Sequence, residues 1–131
     1  MKKISAVIMV SFILLGCNGD NVEIAKKQVS NFRDMYEHDE FNSIYKNSAN
    51  KMKEKVSPDE FVTFISSAKK EMGKLNKTQL THSNSISYVI GEPAVVLTYS
   101  SRFSKRNYKE VFSFVSESGE MKLSGYSYTP N

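Results

Sequence analysis

Residues 94–128 decide the fold and read, in five successive pieces, AVVLTYSSRF, SKRN, YKEVFSFVSE, SG and EMKLSGYSY. Apolar and polar side chains alternate in the three longer pieces, which is typical of half-buried β-strands. The two short pieces are rich in turn-forming residues, and Ser118-Gly119 is the kind of loop that joins two strands of a hairpin. The sequence therefore predicts three consecutive antiparallel strands with one buried and one solvated face.

The predicted turns also set which residues lie opposite each other on the buried face. If residues 104–107 turn the chain, Tyr99 lies opposite Phe112. The loop at residues 118–119 then places Gly125 opposite Phe112, and we expect this glycine to leave room for the ring and to let the sheet bend. Two tyrosines of the last strand are expected on the outer face, Tyr126 and Tyr128.

Two helical segments are predicted ahead of the strands. The first spans about four turns, because apolar residues recur at spacings of three and four and form one stripe. This stripe consists of Val22, Ala25, Val29, Phe32 and Tyr36. The second segment is short and is indicated by Phe41, Ile44 and Tyr45.

A third helix has the clearest local signals in the chain. Ser57 suits the N-cap, Pro58 the first helical position and Glu60 the capping-box position. Gly73 suits a left-handed stop at the other end. Residues 75–90 are rich in Thr, Ser and β-branched side chains and predict a strand before the other three. The buried stripe of the third helix is predicted to be Phe61, Phe64, Ile65, Ala68 and Met72.

The N-terminus combines a positive segment, an apolar run and a cysteine. Met1-Lys2-Lys3 precedes an apolar run over residues 4–15, which is shorter than the roughly 20 residues of a membrane span and has the length of a signal core. The run ends in Gly16-Cys17 and resembles the bacterial lipoprotein signal, in which the cysteine is acylated and becomes the new N-terminus. We therefore predict a signal peptide (residues 1–16), a lipidated Cys17 with a short tether (17–20) and one domain (21–131).

Composition and charge narrow the classes of partner. Cys17 is the only cysteine, so the mature chain cannot form an internal disulfide. Lys2 and Lys3 leave with the signal, so the 18 basic residues fall to 16 against 14 acidic ones, a net charge of +2. A nucleic-acid-binding protein usually shows a strong basic stripe, so we expect no nucleic-acid partner. Asn18 resembles the default outer-membrane sorting signal, which implies the periplasmic face of the outer membrane in a cell with two membranes.

A known fold is matched at residues 41–45, 56–57, 61, 72–73, 96–99, 103, 110 and 119–126. With these residues, the predicted order of elements is similar to the cone-shaped fold shared by nuclear transport factor two, ketosteroid isomerase and cystatin-like domains. Within this superfamily the chain resembles small bacterial lipoprotein domains of unknown function. The resemblance implies an α+β fold, with N-terminal helices packed on a curved antiparallel four-stranded sheet, but it does not imply an activity. Met121 departs from the pattern, since tryptophan is frequent there.

A polar row on the buried face is the candidate pocket. The predicted register places Glu110 between Ser101 and Ser127, and His82 has the strand parity of the inward-facing Leu80. A carboxylate in apolar surroundings can act as a general acid or base, as the isomerase branch of the resembled fold uses one. The alternative, which we favour, is a Glu110 near an open rim that is satisfied by hydroxyls, backbone or water. The row is bordered by Tyr99, Phe103 and Tyr108.

The sequence contains no metal-ligand spacing and no nucleophile-elbow motif, so we assign no metal, cofactor or catalytic residue. The favoured function is a membrane-anchored, non-catalytic binding module for a protein partner or a small apolar ligand. One alternative is an immunity or inhibitor lipoprotein that masks an exported toxin or hydrolase. The other is an isomerase-like or lyase-like enzyme that uses Glu110.

Overall fold

The structure, a computed structural model, describes residues 18–86 and 92–131. The predicted signal peptide and Cys17 lie outside these residues. Four helices come first in the described chain: α1 (Asn18–Glu37), α2 (Phe41–Lys46), α3 (Asn50–Lys53) and α4 (Pro58–Met72). Four strands come after them: β1 (Leu75–Ile86), β2 (Ala94–Phe103), β3 (Asn107–Glu117) and β4 (Glu120–Pro130). No helix of the described ranges is long and apolar enough to cross a membrane.

The strands form one open antiparallel sheet in the order β1-β2-β3-β4. One face of this sheet, which we call the inner face, packs against α1 and α4. The core between them contains Phe32 of α1, Ile65 of α4 and Phe112 of β3, each at most 4% exposed. The other face, the outer face, carries the alternate side chains of the strands. The predicted α+β fold with a four-stranded antiparallel sheet is confirmed.

The predicted start and stop of α4 are confirmed. The Ser57 hydroxyl accepts a hydrogen bond from the Glu60 amide at 3.2 Å, and the Glu60 carboxylate accepts one from the Ser57 amide at 2.9 Å. Gly73 ends the helix at φ 84°, which favours glycine, and a Cβ there would collide with the Ser104 hydroxyl. The prediction that Phe64 belongs to the buried stripe of α4 is wrong, because this residue is 41% exposed.

The first helix is longer than its apolar stripe indicates. It begins at Asn18, so residues 18–20, which we predicted as a tether, continue the helix. The stripe itself is buried as predicted from Ala25 to Tyr36. Helix α3 was not predicted, because its four residues carry no local signal. Long-range contacts hold it: the Ala49 amide donates to the Leu123 carbonyl at 2.8 Å, and the Glu117 carboxylate caps its first amides.

The register between β2 and β3 differs from the prediction by two residues. Tyr99 lies opposite Glu110 rather than Phe112, and Ser101 lies opposite Tyr108 rather than Glu110. The reason is a tighter turn, in which Asn107 already pairs with Arg102 instead of turning the chain. A shift of two keeps every side chain on its face, so the predicted inner set of these two strands remains correct.

A bulge in β4 corrects the prediction for the end of the chain. Ser113 pairs with Gly125 and Phe114 with Leu123, so Ser124 has no partner on β3. One extra residue moves all later side chains of the strand to the opposite face. Tyr126 and Tyr128 therefore point inward, where we predicted Gly125 and Ser127. The ring of Tyr126 lies 4.8 Å from that of Phe112 and occupies the space that we assigned to Gly125.

A second bulge corrects the prediction for His82. Leu80 pairs with Tyr99 and His82 with Thr98, so Thr81 is the extra residue of β1. Paired residues share a face, and Thr98 belongs to the outer face. His82 is accordingly exposed and lies away from the predicted pocket.

The packing of Phe112 allows a test of which face of the sheet is buried. Phe112 is fully buried and its ring contacts those of Phe32, Tyr99 and Tyr126 at 4.8–5.7 Å. We expect Phe112→Ala to lower the free energy of unfolding by about 3–5 kcal/mol, because it leaves a cavity among these rings. Thr98→Ala on the outer face should change it little. Urea unfolding of the chain from Asn18 onward measures both free energies, and equal losses for the two variants would contradict this assignment of the faces.

Candidate functional site

The most unusual group of the inner face is the carboxylate of Glu110, which is 1% exposed. Its Oε1 atom accepts hydrogen bonds from Arg33 Nη2 at 2.9 Å and from Ser101 Oγ at 2.6 Å. Its Oε2 atom accepts from Tyr126 Oη at 2.5 Å and from Arg33 Nη1 at 3.4 Å. A buried charge that is paired and hydrogen-bonded avoids most of the cost of desolvation. We call Arg33, Thr78, Ser101, Glu110 and Tyr126 the Glu110 network.

Arg33 reaches the network from α1. Its side chain is 17% exposed, and its guanidinium lies 5.2 Å from the ring centre of Tyr99 and 5.3 Å from that of Phe112. Such contacts add cation–π attraction to the ion pair. We did not predict this residue from the sequence, although a signal exists: Arg33 comes four positions after Val29 and three before Tyr36, so it occupies a place on the apolar stripe.

A chain of hydroxyls closes the network on the β1 side. Arg33 donates to Thr78 Oγ1 at 3.1 Å, and Thr78 and Ser101 share a hydrogen bond of 2.7 Å. Ser101 has one hydroxyl proton and gives it to Glu110, so Thr78 must donate to Ser101. The hydrogen bonds therefore all point the same way, from the cation to the anion: Arg33 donates to Thr78, Thr78 to Ser101 and Ser101 to Glu110.

Tyr126 supplies the third donor because of the bulge in β4. Burial raises the pKa of its hydroxyl well above the usual range, and the negative Glu110 beside it raises the pKa further. The hydroxyl therefore keeps its proton and donates to the carboxylate. We did not predict this role, since an unbulged strand places Tyr126 on the outer face. The signal that could have indicated it is Gly125, because a glycine inside a strand often marks a bulge.

A second tyrosine lies in the same interior. Burial is the main cause that raises the pKa of Tyr36, and the negative charge of Glu110 adds to it. Its hydroxyl is buried and has no hydrogen-bond partner among the described residues. Tyr36 also lines a cavity of about 430 Å³, together with Arg33, Lys69 and Lys74. A volume of this size falls within the range of small-molecule sites.

The charges around this cavity are largely balanced by the protein itself. Lys69 donates to Asp39 at 2.6 Å and to the backbone carbonyls of Tyr36 and Glu37 at 3.0 Å, so it caps the end of α1. Arg33 is neutralised by Glu110. Glu37 and the exposed Lys74 also line the cavity and carry opposite charges. The cavity therefore offers no excess of charge for an anionic ligand.

The structure brings together part of the predicted pocket. Ser101 and Glu110 meet in the network, and the ring of Tyr99 lies against its Arg33 at 5.2 Å. Phe103 and Tyr108 instead pack on each other at 5.9 Å near the turn between β2 and β3. Two predicted members lie elsewhere, since Ser127 and His82 are exposed on the outer face. Within residues 18–86 and 92–131, no group of three or more His, Cys, Asp or Glu side chains could hold a metal ion.

The model of one protein family matches residues 28–126. The chain belongs to the DUF4019 family. The description of this family is "protein of unknown function", so membership defines the domain and leaves its activity open. The matched range contains all five residues of the Glu110 network. No curated protein matches the chain.

A double substitution can test whether Arg33 and Glu110 form a buried, charged pair. Arg33→Met should lower the free energy of unfolding by about 3–5 kcal/mol, because it leaves the Glu110 charge buried and uncompensated. Adding Glu110→Leu to Arg33→Met should recover much of this loss. Lys26→Met removes an exposed pair with Glu23 and should have little effect. Urea unfolding decides the outcome, and a loss for Arg33→Met no larger than that for Lys26→Met would contradict a buried, charged pair.

Proposed function

We propose that this protein is a cell-envelope lipoprotein, acylated on Cys17, whose domain is a non-catalytic binding module for a protein partner. One observation carries the non-catalytic part: the carboxylate that suggested an enzyme is fully engaged by the protein's own donors. The motif Gly16-Cys17 after an apolar run supports the lipid anchor and the envelope location. The order of elements supports the finer assignment of the fold to the cone-shaped superfamily of nuclear transport factor two and cystatin-like domains.

The state of Glu110 argues against an isomerase or lyase. A general base must lie within hydrogen-bond reach of the proton that it removes. An ionised carboxylate has about four acceptor positions. Arg33, Ser101 and Tyr126 together direct four contacts at the two oxygens. A substrate would have to displace one of these donors inside the core, so the network serves folding better than catalysis.

The packing of the inner face favours a protein partner over a small apolar ligand. The ring of Phe112 lies 5.0 Å from Phe32, 5.7 Å from Tyr99 and 4.8 Å from Tyr126. These are the separations of aromatic side chains in direct contact. The space around Phe112, where an apolar ligand would contact the centre of the sheet, is thus filled by the protein, and the cavity beside Tyr36 is lined mainly by charged side chains. An immunity or inhibitor role, in which the partner is an exported toxin or hydrolase, is one form of this proposal.

The lipid anchor is tested by Cys17→Ser. We expect this variant to remain as unprocessed precursor and to incorporate no labelled fatty acid, because cleavage of such signals depends on prior acylation of the cysteine. Metabolic labelling with a radioactive fatty acid measures the modification, and the unsubstituted chain is the positive control. Label in the Cys17→Ser chain would refute the lipoprotein proposal.

Protein binding is tested by photo-cross-linking in cells from three exposed positions. Ser30 reports on α1, Ser67 on α4 and Ser100 on the outer face, and all three residues are exposed. We expect a photoreactive phenylalanine at one or more of them to give a discrete adduct of the chain with one other protein. The fully buried Ala68 next to Ser67 is the matched negative position. The binding proposal fails if none of the three surface positions gives an adduct.

A further inference from the structure

Three exposed cations lie together on the outer face of the sheet. Lys77 of β1 pairs with Arg102 of β2 in the strand register. Lys109 of β3 is a diagonal neighbour of Arg102, since it pairs with Ser100 two residues away. All three side chains are exposed, and none forms an ion pair with an acidic side chain in the described part of the chain. We call Lys77, Arg102 and Lys109 the outer basic patch.

This arrangement works against folding. Like charges that lie directly opposite each other in a sheet are destabilising. The turn at the same end of the sheet adds two more exposed cations, Lys105 and Arg106. The mature chain has a net charge of only +2, so the patch is a local concentration rather than a general excess. A negative partner would compensate a repulsion that the protein leaves uncompensated.

An apolar strip adjoins the patch on the same face. Val96 of β2 and Val111 and Val115 of β3 are half-buried, and the register places them on the outer face beside Thr98 and Ala94. No helix of the described chain covers them, since α1 and α4 pack on the inner face. Apolar surface next to a polar, charged rim is the usual composition of a protein–protein interface. A lipid headgroup or a soluble polyanion would use the cations but not the valines.

We propose that the outer face docks an acidic protein, with the outer basic patch meeting its negative surface and the valines providing the desolvated centre. This inference rests on the proposed binding function and specifies its surface and its partner. Four strands about 4.8 Å apart and roughly 33 Å long present about 500 Å². This is less than the roughly 800 Å² per partner of a standard interface, so the complex is transient and sensitive to salt.

The position of the patch favours a protein over the membrane that holds the anchor. The first turns of α1, which come directly after Cys17, line a cavity with Ser116 and Gly119 at the β3–β4 turn. The patch lies at the other end of the strands, next to the β2–β3 turn. β3 spans 11 residues, about 36 Å, whereas charges are screened over roughly 8 Å at physiological salt. With α1 beginning at the membrane, the patch therefore points away from the headgroups.

A second copy of the chain is a poor occupant for the same face. A two-fold symmetric dimer centred on the outer basic patch would place its cations against those of the other copy. Charge repulsion of this kind disfavours the pairing.

The test combines cross-linking with matched charge reversal. The full chain carries the photoreactive residue at Ser100, and the adduct is identified and its partner purified. Binding of that partner is then measured to the full-length chain in detergent. Arg102→Glu with Lys109→Glu should weaken binding by at least about tenfold, the equivalent of 1.4 kcal/mol. Lys27→Glu with Lys55→Glu makes the same change of charge on exposed helical and loop positions and should alter binding by less than about twofold.

The outcomes separate this inference from the proposed function. A partner of net negative charge whose binding falls with salt and with the Arg102 and Lys109 reversals, but not with the control, supports the acidic protein. Adducts from Ser30 or Ser67 alone would contradict the outer face as the docking surface, while the proposed binding function would stand. An adduct between two copies of the chain would contradict the proposal that the partner is a different, acidic protein. Binding to phosphatidylcholine vesicles that requires added phosphatidylglycerol and the patch cations would assign the patch to the membrane instead.

Discussion

The ion pair between Arg33 and Glu110 joins the first helix to the middle of the sheet, and every strand contributes to its surroundings. Thr78 comes from β1, Ser101 from β2, Glu110 from β3 and Tyr126 from β4. A buried charge is tolerated only when its partners are in place. Because the partners come from five different elements, only one placement of α1 and one register of each strand satisfy them all. The pair therefore selects a single arrangement, whatever its net contribution to stability.

Alternation in the sequence was enough to predict which faces of β2 and β3 are buried, but not which residues pair. A two-residue shift of register leaves Tyr99 and Phe112 on the inner face, so the pattern cannot detect it. The bulges at Thr81 and Ser124 have the opposite effect, since each reverses the face of the later residues in its strand. Gly125 beside Ser124 is a local signal for the second bulge, since a glycine inside a strand often marks one, but we interpreted it as room for a ring. Nothing in the local sequence marks the bulge at Thr81. His82 and Ser127 were misplaced for this reason, and Tyr126 was missed.

The helical predictions divide in a similar way. The capping box at Ser57 is a local interaction between neighbours in the chain, so it could be identified from the sequence and is confirmed. Helix α3 depends on the Leu123 carbonyl and the Glu117 carboxylate, which are distant in sequence. Arg33 combines a local and a long-range feature. The sequence indicates its place on the apolar stripe of α1, but it does not indicate its partner Glu110 on β3. Membership of the DUF4019 family places the Glu110 network inside the family domain, residues 28–126.

The open sheet leaves β1 as an edge strand of 12 residues. Free edges can recruit the strands of other molecules, and natural proteins protect them with bulges and with lysine. The irregularities near Lys77 and Thr81 interrupt the straight ladder that such recruitment needs, and Lys77 adds charge to it. Anchoring in a bilayer, as proposed, would confine neighbouring copies to two dimensions and bring their edges together often. The bulge that turns His82 outward would then also limit edge-to-edge pairing between neighbouring copies.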